Sequence, residues 1–210
     1  LAMAFLAVAL AACGGRDAEP DAAPSASTGQ VAAAATYKVS HYAASRFAEQ
    51  ASFGPTPALV QELRTKGFDK WIDEQFALPA SKIDTKPLEN WKLDGPATDP
   101  LWQLWQTNYQ QLFLSAPDQL RLRTSWSLSQ FIVVSTRKVD FTAVAVWLNM
   151  LQTQSLGNYS ELLYQVGISP AMGNYLNTAG NQKEDPASGR VPDENYAREV
   201  MQLFTIGLYQ

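Results

Sequence analysis

Apolar side chains recur three or four residues apart through most of this chain, and this spacing limits the fold more than any other feature of the sequence. After Asp140, four large apolar residues follow the i, i+3, i+4, i+7 order of one helix face: Val144, Trp147, Leu148 and Leu151. No stretch combines alternating apolar and polar residues with a hairpin dipeptide, the usual sign of paired strands. The pattern therefore predicts an all-α protein.

Residues that start and stop helices divide this pattern into short segments. Thr56 and Pro57 place a capping hydroxyl and a proline at a helix start, and Gly67 follows as a stop. Asn158, with Glu161 three residues later, resembles a capping box. We expect an irregular bundle of about eight short helices, over 43–51, 57–66, 69–78, 101–115, 120–132 and 141–156, with shorter ones after Asn158, from Pro170 to Asn177 and from Asp193 to Gly207.

Three segments are less regular. Residues 79–100 contain several prolines and are interpreted as a loop, with Trp91 anchoring it to the core. Residues 180–192 form a polar segment rich in turn formers, which also indicates a loop. The segment 131–134 contains β-branched residues, so a strand is the alternative to a helix end there.

The apolar run of residues 1–12 ends at the only cysteine of the chain, Cys13. The run is shorter than the roughly 20 residues that span a bilayer, but it fits the apolar core of a signal peptide. Leu-Ala-Ala-Cys resembles the lipobox of bacterial lipoproteins, which implies cleavage before Cys13, a diacylglycerol on its sulfur and acylation of its new amine. The alternatives are an ordinary secretory cleavage site or a buried helix, and neither accounts for the position of the cysteine.

Residues 13–36 then combine Ala, Pro, Ser, Gly and Asp with almost no large apolar side chains, which is typical of a flexible tether. Its reach would be about 25 Å as a coil. We expect a lipid-anchored protein of the bacterial cell envelope, attached to the membrane through Cys13. Gly14 at the following position favours the outer membrane in a Gram-negative cell. Residues 37–210 would then be the helical domain, and we expect the chain to be a fragment that is incomplete at both ends.

Composition excludes several functions. With Cys13 lipidated, the folded part would contain no thiol for a disulfide, a thiolate zinc site or a cysteine nucleophile. The formal net charge of −4 gives no overall basic field, so we expect no nucleic-acid partner. His41 is the only histidine and directly follows the tether, which argues against a Ser-His-Asp triad.

Several short motifs occur together in the helical part. They are Arg46-Phe47, 51–56, Gly67-Phe68 with Trp71, Arg121 and Arg123 before 126–130, 157–159, 169–177 and 192–207. Together they resemble the bacterial family called domain of unknown function 1800, over nearly everything from His41 to Gln210. The resemblance implies mostly helical secreted or envelope proteins, longer than this chain, with no established activity. It also implies a partner, because members are often encoded beside a second secreted family that is similar to sulfatases and phosphatases.

The last motif holds the densest group of charged residues, with Asp193, Glu194, Arg198 and Glu199 in the first turns of one predicted helix. One interpretation is structural: acids at a helix N-terminus are stabilised by its dipole, and Glu194 with Arg198 forms an i, i+4 pair. The other is catalytic, with Glu194 or Glu199 as a general base beside Arg198.

The same region could supply oxygen ligands for a cation. Asp193, Glu194 and Asn177 are the candidate metal ligands, with further oxygens from Asn174 and Asn181. Carboxylate and amide oxygens suit calcium or magnesium and not zinc. No other cofactor is predicted.

Arg121 and Arg123 face different sides of one predicted helix, so we expect at most one of them to point inward. A buried arginine needs a partner, and Glu194 or Glu199 would be the natural one. The alternative is an anion clamp for a sulfate, phosphate or carboxylate.

Two functions follow from these patterns. The first is a lipid-anchored scaffold or binding protein that works with an envelope partner, because the aromatic residues are spaced like a core and no recognisable catalytic set is present. The second is a hydrolase-type enzyme that uses the acidic and arginine cluster at 193–199.

Overall fold

The computed structural model describes residues 37–86 and 100–207, without the side chains of 100–105. Nine helices form in these ranges: α1 His41–Ala51, α2 Pro57–Lys66, α3 Phe68–Ala77, α4 Pro100–Ser115, α5 Gln119–Ser129, α6 Phe141–Gln154, α7 Tyr159–Ile168, α8 Pro170–Tyr175 and α9 Asn195–Gln202. The only β pairing in these ranges is an isolated antiparallel bridge between Asp185 and Arg190, so the predicted all-α class is confirmed. The predicted signal peptide, Cys13, the predicted tether and Trp91 lie outside the described residues. No helix in these ranges is both long and apolar enough to cross a bilayer.

The helix starts follow the predicted caps. The hydroxyl of Thr56 accepts from the backbone N–H of Leu59 at 3.2 Å, and the carboxylate of Asp140 accepts from Ala143 at 3.0 Å. Each contact satisfies one of the N–H groups that a helix leaves free in its first turn. Asn158 caps α7 as expected, but Glu161 accepts from Gln165 and not from the backbone of Asn158, so the predicted capping box is only half formed.

Gly67 both ends α2 and begins α3. Its φ of 84° lies in the left-handed region, which glycine enters without the steric cost of a Cβ atom. The chain therefore turns between two helices within a single residue. Asn177 has a φ of 60° and follows α8, a conformation that asparagine tolerates better than most residues.

Two predicted helices differ from the structure by three or more residues at one end. Helix α5 stops at Ser129, and residues 130–132 turn without forming the strand that the β-branched segment 131–134 left open. Helix α9 begins at Asn195 and ends at Gln202, whereas the sequence predicted a helix from Asp193 to Gly207. The start moves because the Asp193 side chain accepts from the N–H of Asn195 in a turn that precedes the helix.

Helix α5 joins the two apolar clusters of the described chain. One cluster lies among α1, α2 and α3, and its buried residues are Ala44, Ala48, Ala51, Val60, Leu63 and Trp71. The other is centred on α6, α7 and α8, with Trp147, Leu151, Leu162, Val166 and Met172 among its buried residues. Leu120 of α5 packs against the first cluster and Leu128 packs against the second, so this helix contributes to both.

The segment after α3 is held by the side chain that precedes α5 and by a side chain of α6. The buried carboxylate of Asp118 accepts from the N–H and the hydroxyl of Ser81. Asn149 of α6 accepts from the N–H of Ile83 at 2.8 Å and donates to its carbonyl at 2.9 Å, as a neighbouring strand would. The beginning of the predicted 79–100 loop is therefore fixed, and Ile83 is buried in the core.

Candidate functional site

Helix α9 carries Arg198 and Glu199, follows Asp193 and Glu194 directly, and runs in the opposite direction to α7. Near its start, Tyr196 contacts Gly167 so closely that a Cβ on Gly167 would lie 2.8 Å from the Tyr196 hydroxyl. Beyond its end, the hydroxyl of Tyr159, at the start of α7, donates to the carbonyl of Phe204. These two contacts place the ends of α9 at opposite ends of α7. Burial raises the pKa of Tyr159 and of Tyr196.

The predicted ion pair between Glu194 and Arg198 forms across the start of α9. Arg198 donates to Glu194 at 3.1 Å and to the Asn195 side chain at 2.6 Å, and its Nη2 lies 3.8 Å from Glu199 Oε1. The side chain of Glu194 is 75% exposed and that of Glu199 is 19% exposed. This is the arrangement of the structural interpretation, in which each carboxylate pairs with a cation of its own helix.

The three predicted metal-ligand residues are divided between two arrangements. Asp193 and Asn177 meet, because the Asn177 amide nitrogen donates to Asp193 Oδ2 at 2.8 Å. Asn181 clamps the backbone of Asp193, accepting from its N–H at 3.0 Å and donating to its carbonyl at 2.8 Å. Glu194 points instead to Arg198. Asn174 lines a separate pocket beside the start of α6.

The oxygens of this clamp already accept hydrogen bonds. Asp193 Oδ1 accepts from Asn195, and the Asn177 carbonyl oxygen accepts from the Lys138 ammonium at 2.6 Å. The described residues contain no group of three or more His, Cys, Asp or Glu side chains that could hold a metal. A cation bound at Asp193 and Asn177 would replace these bonds and lie close to the positive charge of Lys138. The geometry therefore favours a hydrogen-bonded loop clamp over a cation site.

Hydrogen bonding also controls the ionisation of Asp193. The N–H of Asn195 and then the amide of Asn177 lower its pKa, with smaller contributions from the charges of Lys138 and Arg198. A carboxylate with a lowered pKa is a weaker proton acceptor than an ordinary one. Asp193 is therefore suited to holding the loop and poorly suited to general-base catalysis. An open, polar pocket of about 440 Å³ lies beside it, between 177–182 and 190–193.

The predicted pairing of Arg121 with Glu194 or Glu199 is wrong. Arg121 donates to the carbonyls of Leu78 and Gln152 at 3.2 and 3.4 Å, because α5 packs against α3 and α6 and not against α9. Arg123 lies on another side of α5, as expected, and its guanidinium stacks over Phe53 and Trp126. His41 is exposed at the first position of α1.

Two residues with structural roles, Lys138 and Gln152, were not predicted from the sequence. Lys138 joins the segment before α6 to the end of α8, donating to the Tyr175 carbonyl and to Asn177, and no local pattern predicts that contact. Gln152 is buried in α6 although the two residues that follow it are also polar, so no local pattern predicts its burial.

The motif at 51–56 lines an additional pocket of about 400 Å³, with Phe53, Trp71 and Phe113 on its walls. Its two glutamines are already engaged. Gln75 accepts from Leu120 and donates to Pro117, and Gln119 donates to the carbonyls of Phe113 and Ala116. The two glutamine amides are therefore not free for a ligand, and Phe53, Trp71 and Phe113 supply aromatic surface.

Taken together, the fold and the cluster define an all-α domain whose charged residues support a helix and a loop. Its family follows from the sequence match: the model for the family described as protein of unknown function DUF1800 covers residues 46–210, and the chain belongs to that family. No curated protein and no solved structure matches the chain significantly.

Proposed function

We propose that this chain is a lipid-anchored scaffold or binding protein of the bacterial cell envelope that works with a protein partner. The observation that carries the binding role is the apolar surface of α7 and α9. Five large apolar side chains of these helices and the turn after α9 are more than half exposed: Tyr164, Ile168, Met201, Leu203 and Ile206. We refer to these residues as the α7–α9 surface. Tyr164 and Ile168 share one face of α7 at an i, i+4 spacing, and exposed apolar side chains that lie together mark interaction sites more often than chance.

The state of the charged cluster supports binding over catalysis. Asp193 is held by Asn177 and Asn195, and Glu194 is held by Arg198. A general base needs an unoccupied lone pair directed at a substrate proton in a sheltered cleft. These side chains instead support the helix that presents Met201 to solvent.

The anchoring part of the proposal rests on Leu-Ala-Ala-Cys at 10–13. A single acyl chain binds membranes marginally and additional chains make the attachment stable, so a triacylated Cys13 would retain the protein at the membrane. Mass spectrometry of the mature protein from a bacterial host tests this directly. We expect an N-terminal Cys13 peptide with the added mass of a diacylglycerol and an acyl chain, and a Cys13→Ala chain released from the membrane fraction. An unmodified Cys13 in mature protein would contradict it.

The partner is tested by crosslinking in intact envelopes. Ile168→Asp and Met201→Asp place charges on the α7–α9 surface without removing a buried group, and Phe76→Asp is the matched control, since Phe76 is similarly exposed on α3. We expect a crosslinked protein of constant stoichiometry with the wild type and with Phe76→Asp, and its loss with both surface variants. A crosslinked species that contains only this chain, or one that survives both variants, would overturn the proposal of a partner at this surface.

A further inference from the structure

Arg121 and Gln152 meet where α5 packs against α6, and their polar groups are unusually poorly paired. Of the four buried side-chain nitrogen and oxygen atoms that lack a hydrogen-bond partner in the described residues, three belong to these two side chains. They are Nε of Arg121 and both amide atoms of Gln152. Native proteins pair nearly all buried polar groups, so three such atoms at one junction require a physical account.

The guanidinium of Arg121 is held in place but not neutralised. Its Nη atoms donate to the carbonyls of Leu78 and Gln152, which orient the group without carrying a negative charge. Arg121 forms no ion pair with any residue of the described ranges. The nearest acid along the chain is Asp118, which directly precedes α5, and both of its oxygens accept from Ser81.

The unpaired atoms are mostly donors. Arg121 offers one N–H at Nε and Gln152 offers two at Nε2, against a single acceptor, Gln152 Oε1. One water molecule accepts only two hydrogen bonds, whereas an anion accepts from all three donors and supplies the missing charge, leaving Gln152 Oε1 without a partner. Gln152 is 1% exposed, so an ion bound beside its amide would be shielded from solvent, and a small monovalent ion would displace the packed helices least.

We propose that Arg121 and Gln152 form a buried binding site for a monovalent anion of halide size, between α5 and α6. One such ion neutralises the guanidinium and accepts hydrogen bonds from Arg121 Nε and from the amide nitrogen of Gln152. The site is separate from the charged cluster of α9 and does not depend on the α7–α9 surface.

Thermal unfolding of the whole chain in different sodium salts at equal ionic strength tests the site. We expect Tm in chloride or bromide to exceed Tm in gluconate by about 3 °C once the halide is at about ten times its Kd. Sulfate should give no such specific increase. Gln152→Met keeps the side-chain volume but removes the amide, and it should abolish the difference. Arg123→Met is the control, because Arg123 lies on another side of α5, and it should retain the difference.

Chloride-35 line broadening on the wild type gives a second readout that does not depend on how the variants fold. We expect broadening by the wild type and by Arg123→Met that bromide relieves by competition. Equal Tm in chloride and gluconate together with no broadening would overturn the proposal and leave water as the occupant. Halide dependence that persists in Gln152→Met would also overturn it.

Discussion

At the scale of single residues, burial separates carboxylates whose sequence context is alike. Glu194 and Glu199 both flank Arg198, but one projects into solvent and the other is mostly covered. A solvent-exposed ion pair contributes only about 0.3–0.5 kcal/mol on a helix, because water and salt screen it. Replacing Glu199 therefore separates a structural role from a functional one more clearly than replacing Glu194 does.

We expect Glu199→Gln to lower Tm by about 1–3 °C and Glu194→Gln to change it by less than about 1 °C. The reason is that a covered carboxylate beside a cation supports the fold more than an exposed one does. Differential scanning calorimetry at neutral pH measures both variants. A clear rise of Tm in Glu199→Gln would instead indicate a carboxylate kept for function at the expense of stability.

Asp193 gives a prediction about pH. Because its pKa is lowered in the folded chain, its contribution to stability is present above its ordinary value of 3.8 and is lost as the pH falls through the folded value. We expect the wild type to unfold at a higher Tm than Asp193→Asn near neutral pH, and the two to converge in strong acid. Asp73→Asn is the control, since Asp73 is an exposed acid on α3 and changes the net charge equally. A difference between wild type and Asp193→Asn that is constant with pH would contradict this assignment.

At the scale of elements, caps and turns decide where helices begin, and tertiary contacts decide where they end. Thr56, Asp140 and Asn158 each cap the helix that the sequence assigned to them. Helix α9 is shorter than predicted because Asp193 bonds within a turn and because Leu203 to Ile206 turn toward the Tyr159 hydroxyl. Its apolar periodicity continues past its end, and the pattern alone could not show the break.

The caps of α6 and α8 form a matched pair for experiment. The Asp140 side chain accepts from Ala143, whereas the Ser169 side chain makes no capping bond to α8. We expect Asp140→Ala to lose about 1 kcal/mol of unfolding free energy and Ser169→Ala to lose much less. Urea denaturation followed by circular dichroism measures both. Equal losses would show that Asp140 acts through its charge or packing and not as a cap.

At the scale of the whole molecule, α5 connects two apolar clusters that lie far apart in the sequence. Its side chains reach the α1–α3 cluster through Leu120 and the α6–α8 cluster through Leu128. Polar contacts also cross it, since Asp118 and Arg121 hold the segment after α3. The two clusters should therefore unfold together.

Leu122 tests this coupling, because it is fully buried in α5. We expect Leu122→Ala to lose about 2–5 kcal/mol while unfolding remains a single transition seen equally by tryptophan fluorescence and circular dichroism. Leu114→Ala, on the exposed face of α4, should leave stability nearly unchanged. Two separated transitions in the wild type or in Leu122→Ala would show that the clusters fold independently.

The all-α class, most helix starts and the ion pair within α9 were determined by the sequence itself, because each depends on contacts within four residues along the chain. The clamp of Asp193 by Asn177 and Asn181, the hydrogen bond from Lys138 to Asn177 and the position of Arg121 depended on the tertiary structure. Their partners lie 12 to 43 residues apart, and side chains at such separations meet only after helices have packed. Periodicity assigns a residue to a helix face, but only packing determines which other helix that face meets.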